Sequence, residues 1–182
     1  LYHNGEEVTG LHIPDGIAEI NEGFFKGYEN VTSVVLPNSV KRIGDRAFRN
    51  LTNLKSVTLG DSLTTIGSLA FDNCISLSYI SFGDSIRNFG NGAFQGCDSL
   101  AINVTKLETL FNEFSFGGYN SNPFEKATQL CVNDEPITEL IVPNTINEIK
   151  GGVFNGKNIT ALKVSDSVEK IGDNAFSGCS NL

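Results

Sequence analysis

Residues 54–71 read L-K-S-V-T-L-G-D-S-L-T-T-I-G-S-L-A-F, and this stretch decides the fold because its apolar pattern returns along the whole chain. One phenylalanine marks each copy, and the copies are spaced by 23 residues and, near the end of the chain, by 22. A fixed period of this length predicts a small structural unit that is repeated and stacked, which is a solenoid. The marking residues are Phe25, Phe48, Phe71, Phe94, Phe154 and Phe176.

The spacing within one copy predicts the shape of the unit. Val57 and Leu59 alternate with Ser56 and Thr58, which is typical of a strand with one buried face. Gly-Asp-Ser at 60–62 supplies residues that favour a tight turn. A short extended segment follows, and the Gly, polar pair and Ala-Phe that end the copy predict a single helical turn with the Phe in the core.

The period breaks between residues 101 and 136, where we expect one enlarged, irregular repeat. Residues 1–14 and 130–143 align without gaps, and each contains a hairpin signal, at Asn4-Gly5 and Asn133-Asp134. We expect residues 1–182 to form a single solenoid domain. Because the chain starts at Leu1 without a signal peptide and stops inside a repeat, we interpret it as a fragment of a longer protein.

Composition excludes several partners. The net charge of −8 argues against nucleic acid, which requires a basic face. No apolar stretch approaches the roughly 20 residues of a membrane-spanning helix.

Cys74, Cys97 and Cys179 share one repeat position, three residues after the Phe, which predicts buried free thiols. The alternative is a disulfide between Cys74 and Cys97 on neighbouring rungs, although their side chains are expected to run parallel.

The sequence contains no recognisable catalytic or metal-binding motif. The two histidines have neither metal-ligand nor triad spacing, and there is no C-x-x-C, G-x-S-x-G or phosphate-binding loop. Asp61 and Asp84 occupy equivalent turns, where they favour turn formation over a cation ladder. We therefore predict that the protein is not an enzyme and uses no cofactor or metal.

The repeat resembles the BspA-like, treponemal-type leucine-rich repeat, whose phrase is L-x-x-V-x-L-[PG]-[ND]-S-[VLI]-x-x-I-G-x-x-A-F-x-x-C. Residues 77–97 nearly spell it out, with Phe89 in place of the Ile, and N-P-F-x-x-A-x-x-L at 122–130 resembles the longer repeat of the family. The resemblance implies a curved, right-handed coil with a parallel β-sheet on one face and short extended segments and helical turns on the other. It also implies a secreted or cell-surface bacterial protein associated with adhesion, and it offers no catalytic residue.

Two regions are candidates for binding. Outward positions of the predicted strands form one face, on which Tyr79 is the only large aromatic residue, and tyrosine is a frequent interface anchor. The irregular repeat supplies a candidate loop with Phe114, Phe116 and Tyr119. The alternatives are a solvated sheet face and local packing, respectively. The candidate face consists of Ser33, Val35, Ser56, Thr58, Tyr79, Ser81, Glu139, Ile141 and Lys163.

Two functions follow from these observations. The first is a non-catalytic interaction module of a secreted or surface protein that binds a protein or glycan, in adhesion to host or microbial partners. The second is a structural spacer that holds another domain away from the cell. An extended solenoid surface suits the first.

Overall fold

The structure is a computed structural model that describes residues 2–3, 6–7, 9–111, 114–118 and 121–182. Longer strands alternate along the chain with two-residue strands, and a 3₁₀ helix (Leu107–Phe111) and a short α-helix, α1 (Pro123–Lys126), lie in the irregular region. The strands are, in chain order, β1 (Tyr2–His3), β2 (Glu6–Glu7), β3 (Gly10–His12), β4 (Glu19–Ile20), β5 (Ser33–Val35), β6 (Arg42–Ile43), β7 (Ser56–Thr58), β8 (Thr65–Ile66), β9 (Tyr79–Phe82), β10 (Asn88–Phe89), β11 (Ala101–Val104), β12 (Ser115–Phe116), β13 (Gln129–Val132), β14 (Glu135–Pro136), β15 (Glu139–Ile141), β16 (Glu148–Ile149), β17 (Ala161–Lys163) and β18 (Lys170–Ile171).

The longer strands form a seven-stranded sheet in the order β14-β13-β11-β9-β7-β5-β3, which we call the principal sheet. All its pairs are parallel except β13 with β14. Val34, Val57 and Ile80 share one register position and are buried. The alternation of buried and outward residues is the one the sequence predicts. The leucine-rich-repeat-like solenoid with a parallel sheet is therefore confirmed.

The two-residue strands form a second parallel sheet, the narrow sheet, in the order β12-β10-β8-β6-β4. Ile43, Ile66 and Phe89 stack in register and are buried. The glycine that follows each of them is required by the close approach of the preceding rung. A Cβ atom on Gly90 would lie 2.3 Å from the backbone nitrogen of Ser68, a distance that no side chain tolerates.

The marking phenylalanines form a stack through the core. Phe71 lies between Phe48, at 4.8 Å between ring centroids, and Phe94, at 5.1 Å, with rings within 10° of parallel. The turns that carry them have hydrogen bonds between residues three apart, as in Tyr28 N to Phe25 O at 3.1 Å. Each rung also bonds the next through the Phe amide, since Phe71 N donates to Ala93 O at 2.8 Å. Stacking therefore seals each apolar interior with its neighbour.

Both sheets end within the irregular repeat at residues 101–136. After β13–β14 and β12 the strands pair only as β15 with β17 and β16 with β18. Phe124 lies 30 residues from both Phe94 and Phe154, so the regular spacing is lost on both sides of α1. Core packing continues across the gap because the rings of Phe111 and Phe154 are 5.7 Å apart. We call this discontinuity the rung break.

The second predicted hairpin is confirmed. Val132 pairs with Glu135 in antiparallel register, and Asn133 and Asp134 have φ angles of 50° and 66°, as a two-residue hairpin turn requires. The predicted turn at Asn4-Gly5 lies outside the described residues, although the strands on either side of it, β1 and β2, are antiparallel.

The cysteine position is a buried core position, as predicted. All four cysteines, which lie within the described residues, are unpaired thiols, so the disulfide alternative is wrong. The Sγ atom of Cys74 donates to Phe48 O at 3.0 Å, and Cys97 and Cys179 make the equivalent bond one rung back. Burial raises the pKa of Cys97 to about 12 and raises the pKa of Cys74 further. These thiols therefore act as small hydrophobic groups with a weak donor.

Candidate interaction surface

The outward positions of the principal sheet form an accessible face of small polar side chains. The predicted residues lie there in two register rows, Ser33, Ser56 and Tyr79 in one and Val35, Thr58 and Ser81 in the other. All six are half-buried or exposed, whereas the residues between them are buried in the core. A substitution on this face therefore changes the surface without disturbing the apolar interior.

The tip of the β13–β14 hairpin folds back over this face and bonds to it. The Tyr79 hydroxyl donates to Asp134 Oδ1 at 2.6 Å, and Asp134 N donates to Asn103 Oδ1 at 2.9 Å. Asn103, which is buried, donates from Nδ2 to Ser81 Oγ at 3.2 Å. The four residues form a network, which we call the tyrosine lock. It makes the hairpin a wall at one end of the face.

The tyrosine lock determines the protonation state of the Tyr79 hydroxyl and the orientation of its ring. Burial and the hydrogen bond to Asp134 raise the pKa of the Tyr79 hydroxyl, so it stays protonated and donates to the carboxylate. The ring is held in one orientation while it remains half-buried on the outward face. Sequence reasoning placed Tyr79 on the face but missed Asp134, because periodicity carries no sign that a hairpin tip returns over the sheet.

The remaining three residues of the predicted face lie beyond the rung break. Glu139 and Ile141 are on β15, and Lys163 is on β17 opposite Ile141. All three are exposed, Ile141 by 62%. They belong to a separate two-stranded sheet, so they do not continue the hydrogen-bonded face of Tyr79. The physical reason is β14, which takes the partner position on β13 that a parallel strand would occupy.

The candidate loop packs largely on the core. The Phe114 ring lies 4.8 Å from Phe124 and 5.8 Å from Phe89, which favours the packing interpretation. Phe116 is 38% exposed and stacks on Phe89 at 5.9 Å. Phe114 and Phe116 line a cleft of about 330 Å³ that reaches across the rung break to Lys150. Tyr119 lies outside the described residues.

A buried lysine marks the principal-sheet side of the rung break. Lys157 occupies the repeat position that Cys74, Cys97 and Cys179 hold in other copies, and only 4% of it is exposed. Its Nζ donates to Asn155 O at 2.7 Å, and burial lowers its pKa. It lines a cleft of about 230 Å³ with Thr138 and neighbouring residues. The sequence shows this exception, since Lys157 is three residues after Phe154, at a position predicted to lie in the core.

Histidine, cysteine and acidic side chains are dispersed over the part of the chain that the structure describes. Among those residues no three His, Cys, Asp or Glu side chains converge to hold an ion. The helices described there are too short and too polar to span a bilayer. Asp84 is instead bonded by Lys106, Thr105 and Thr109, which lower the pKa of its carboxyl group.

A parallel solenoid with a stacked Phe core and an open sheet face defines a leucine-rich-repeat protein of the bacterial type. The sequence matches the BspA type leucine rich repeat region in 6 copies, over residues 18–130 and 121–182. The chain therefore belongs to this family, as its repeat phrase predicts. Leucine-rich repeat domains are generally protein-interaction modules, and this family and fold are typically non-catalytic. A search among curated proteins finds no match.

Solved structures show the same fold. The T. pallidum leucine rich repeat protein TpLRR is 26% identical with a TM-score of 0.58, and the match covers 96% of this chain and 78% of that one. A leucine rich cell surface protein from Faecalibacterium prausnitzii A2-165 is 24% identical with a TM-score of 0.51, over 98% of this chain and 47% of that one. The chain thus spans about half the length of the Faecalibacterium protein.

Proposed function

We propose that this protein is a non-catalytic interaction module of a secreted or cell-surface protein, and that the outward face of the principal sheet binds a protein or glycan partner in adhesion. The observation that carries the proposal is the tyrosine lock. Tyr79 is the large aromatic side chain on this face, and Asp134 fixes its ring at 2.6 Å through the hydroxyl. A ring that is ordered before binding loses little entropy when a partner packs on it.

The location of the residues around the lock supports the same use. Small side chains at Ser33, Ser56 and Thr58 leave room for a partner to reach the sheet, and the hairpin wall closes one end. Buried aromatic anchors surrounded by small polar contacts are the usual arrangement of interface hot spots. A surface location is supported by the printed description of the Faecalibacterium protein as a cell surface protein.

The experiment compares two threonines of the same rung. Thr58→Arg places a long side chain on the face of the principal sheet, and Thr65→Arg places the same side chain on the narrow sheet. The purified chain is arrayed against extracellular matrix proteins and unsulfated glycans, and each variant is then measured on every ligand found. We expect Thr58→Arg and Tyr79→Ala to abolish binding, and Thr65→Arg to retain it.

Two further variants separate the parts of the predicted surface. Replacing Glu139 and Lys163 together tests whether the short sheet beyond the rung break contributes, and Phe116→Ala tests the aromatic loop, since Phe116 is 38% exposed at the cleft. Binding that survives Thr58→Arg but is lost in Phe116→Ala would assign the partner to the cleft at Phe116 and refute the role of the principal sheet.

The spacer function is the second candidate, and the continuous core favours it. Stacked rings and three ladders of backbone bonds stiffen the solenoid before the rung break, and core packing between Phe111 and Phe154 continues across it. If no arrayed protein or glycan binds the wild-type chain, and circular dichroism shows that the chain is folded, the spacer function is supported and the interaction module is refuted.

A further inference from the structure

Charged side chains on adjacent rungs pair with opposite charges in this solenoid. Arg42 Nε lies 3.0 Å from Glu19 Oε1, and Arg49 Nε lies 2.8 Å from Asp72 Oδ2. Beyond the rung break, Lys170 Nζ lies 2.8 Å from Glu148 Oε1. Opposite charges directly across a parallel ladder are favourable, and like charges are destabilising.

Lys26 and Arg49 break this rule. They are 23 residues apart, each directly after a core phenylalanine, so two cations occupy the same position on adjacent rungs. Within the described part of the chain Lys26 makes no ion pair. Arg49 reaches Asp72 through Nε alone, which leaves the outer edge of its guanidinium group for another acceptor. Two like charges at neighbouring exposed positions repel each other weakly in water, and an anion bound between them would offset that repulsion.

The two side chains line one groove together with a third cation. A space of about 280 Å³ is lined by Glu22, Gly23, Lys26, Arg46, Arg49 and Asn50, which we call the basic groove. Arg46 uses Nη1 to bond Glu22 at 2.9 Å. Three cations and one carboxylate thus line the groove, and the Asp72 carboxylate lies against Arg49 behind it, on a chain whose net charge is −8. The groove lies on the turns after the narrow sheet, away from Tyr79.

We propose that the basic groove binds a sulfate group carried on a glycan. Guanidinium and ammonium groups that line one groove offer several donors to the oxygens of an oxyanion, and arginine binds such groups in a bidentate fashion. None of the lining side chains is apolar, so the groove offers no pocket for the aromatic or aliphatic anchor on which protein partners depend. A charged, open groove suits a sulfated sugar unit. This site is independent of the sheet face and of the function proposed for it.

The test is an NMR titration of the ¹⁵N-labelled chain with three probes in low salt. The probes are a sulfated heparin hexasaccharide, a hyaluronan hexasaccharide that carries carboxylates only, and a polyglutamate peptide. We expect the sulfated probe alone to shift the amides of Gly23, Lys26 and Asn50. Lys26→Gln and Arg46→Gln should each weaken its binding up to about fivefold, as expected for one exposed charge contact.

The control is Lys126→Gln, which removes the same charge from an exposed lysine on α1. Its affinity should equal that of the wild type, and Thr58→Arg should also bind the sulfated probe normally. The proposal is overturned if the sulfated probe shifts no groove amide, or if Lys126→Gln weakens binding as much as Lys26→Gln. Equal binding of hyaluronan would assign the groove to carboxylates, and equal binding of polyglutamate would assign it to an acidic protein; either result refutes the sulfated glycan.

Discussion

Replacement of Phe71 by alanine tests whether the stack of rings holds the solenoid together. Phe71 is fully buried between Phe48 and Phe94, at 4.8 and 5.1 Å. Removal of a buried Phe side chain costs about 3–5 kcal/mol, because the cavity adds to the lost transfer free energy. The free energy of unfolding of a domain is about 5–15 kcal/mol. Phe71→Ala should therefore remove about a fifth or more of it and lower Tm by roughly 6–20 °C.

The measurement is urea unfolding followed by far-UV circular dichroism and tyrosine fluorescence. Phe71→Leu keeps most of the volume and should cost less than about 1.5 kcal/mol. Phe116→Ala is the matched control, since Phe116 is 38% exposed at the end of the narrow sheet, and about 1 kcal/mol is expected there. A loss below about 1 kcal/mol for Phe71→Ala, or equal losses at the two positions, would contradict the argument that neighbouring rungs seal the core.

Three further outcomes are expected. Arg49→Ala should lower the free energy of unfolding, measured in urea, by about 1–3 kcal/mol, because it leaves the buried carboxylate of Asp72 without its partner. Arg46→Ala removes an exposed ion pair with Glu22 and should cost less than about 0.5 kcal/mol. Since the folded pKa of Asp84 lies below its ordinary 3.8, its contribution to stability is present above that pH and is lost as the pH falls through the folded value. Asp84→Asn should therefore show a smaller fall in Tm between pH 5 and pH 2 than the wild type. Lys157→Cys restores the buried thiol of the other copies and should raise the free energy of unfolding by about 1 kcal/mol; a decrease would show that the ammonium group stabilises the fold.

The periodic part of the fold could be predicted from the sequence because each repeated position has one physical task. The Phe spacing gave the ring stack, and the alternation around Val57 gave the strand and its outward face. The Asn133-Asp134 pair gave the hairpin, since few residues other than glycine adopt two successive positive φ angles as readily. Local chemistry and stacking agree at these positions, so a single sequence was sufficient.

The candidate site could be predicted only in part. The contact of Asp134 with Tyr79 joins residues 55 positions apart and depends on the direction in which a hairpin leans. The rung break separates Lys163 from the principal sheet because β14 displaces a parallel strand, and no periodic pattern encodes that. In contrast, two departures from the repeat can be read from the sequence. Lys157 stands at a position that other copies fill with Cys, and Lys26 and Arg49 place like charges at equivalent positions of adjacent rungs.

The short strand β14 has a consequence for the solubility of the molecule. A parallel sheet that ended on β13 would present a row of unpaired amide and carbonyl groups to any extended chain nearby. Here the edge is only two residues long, and Pro136 has no amide hydrogen to offer. The hairpin that holds Tyr79 thus also protects this end of the principal sheet from recruiting foreign strands, which favours a chain that stays unaggregated at high concentration.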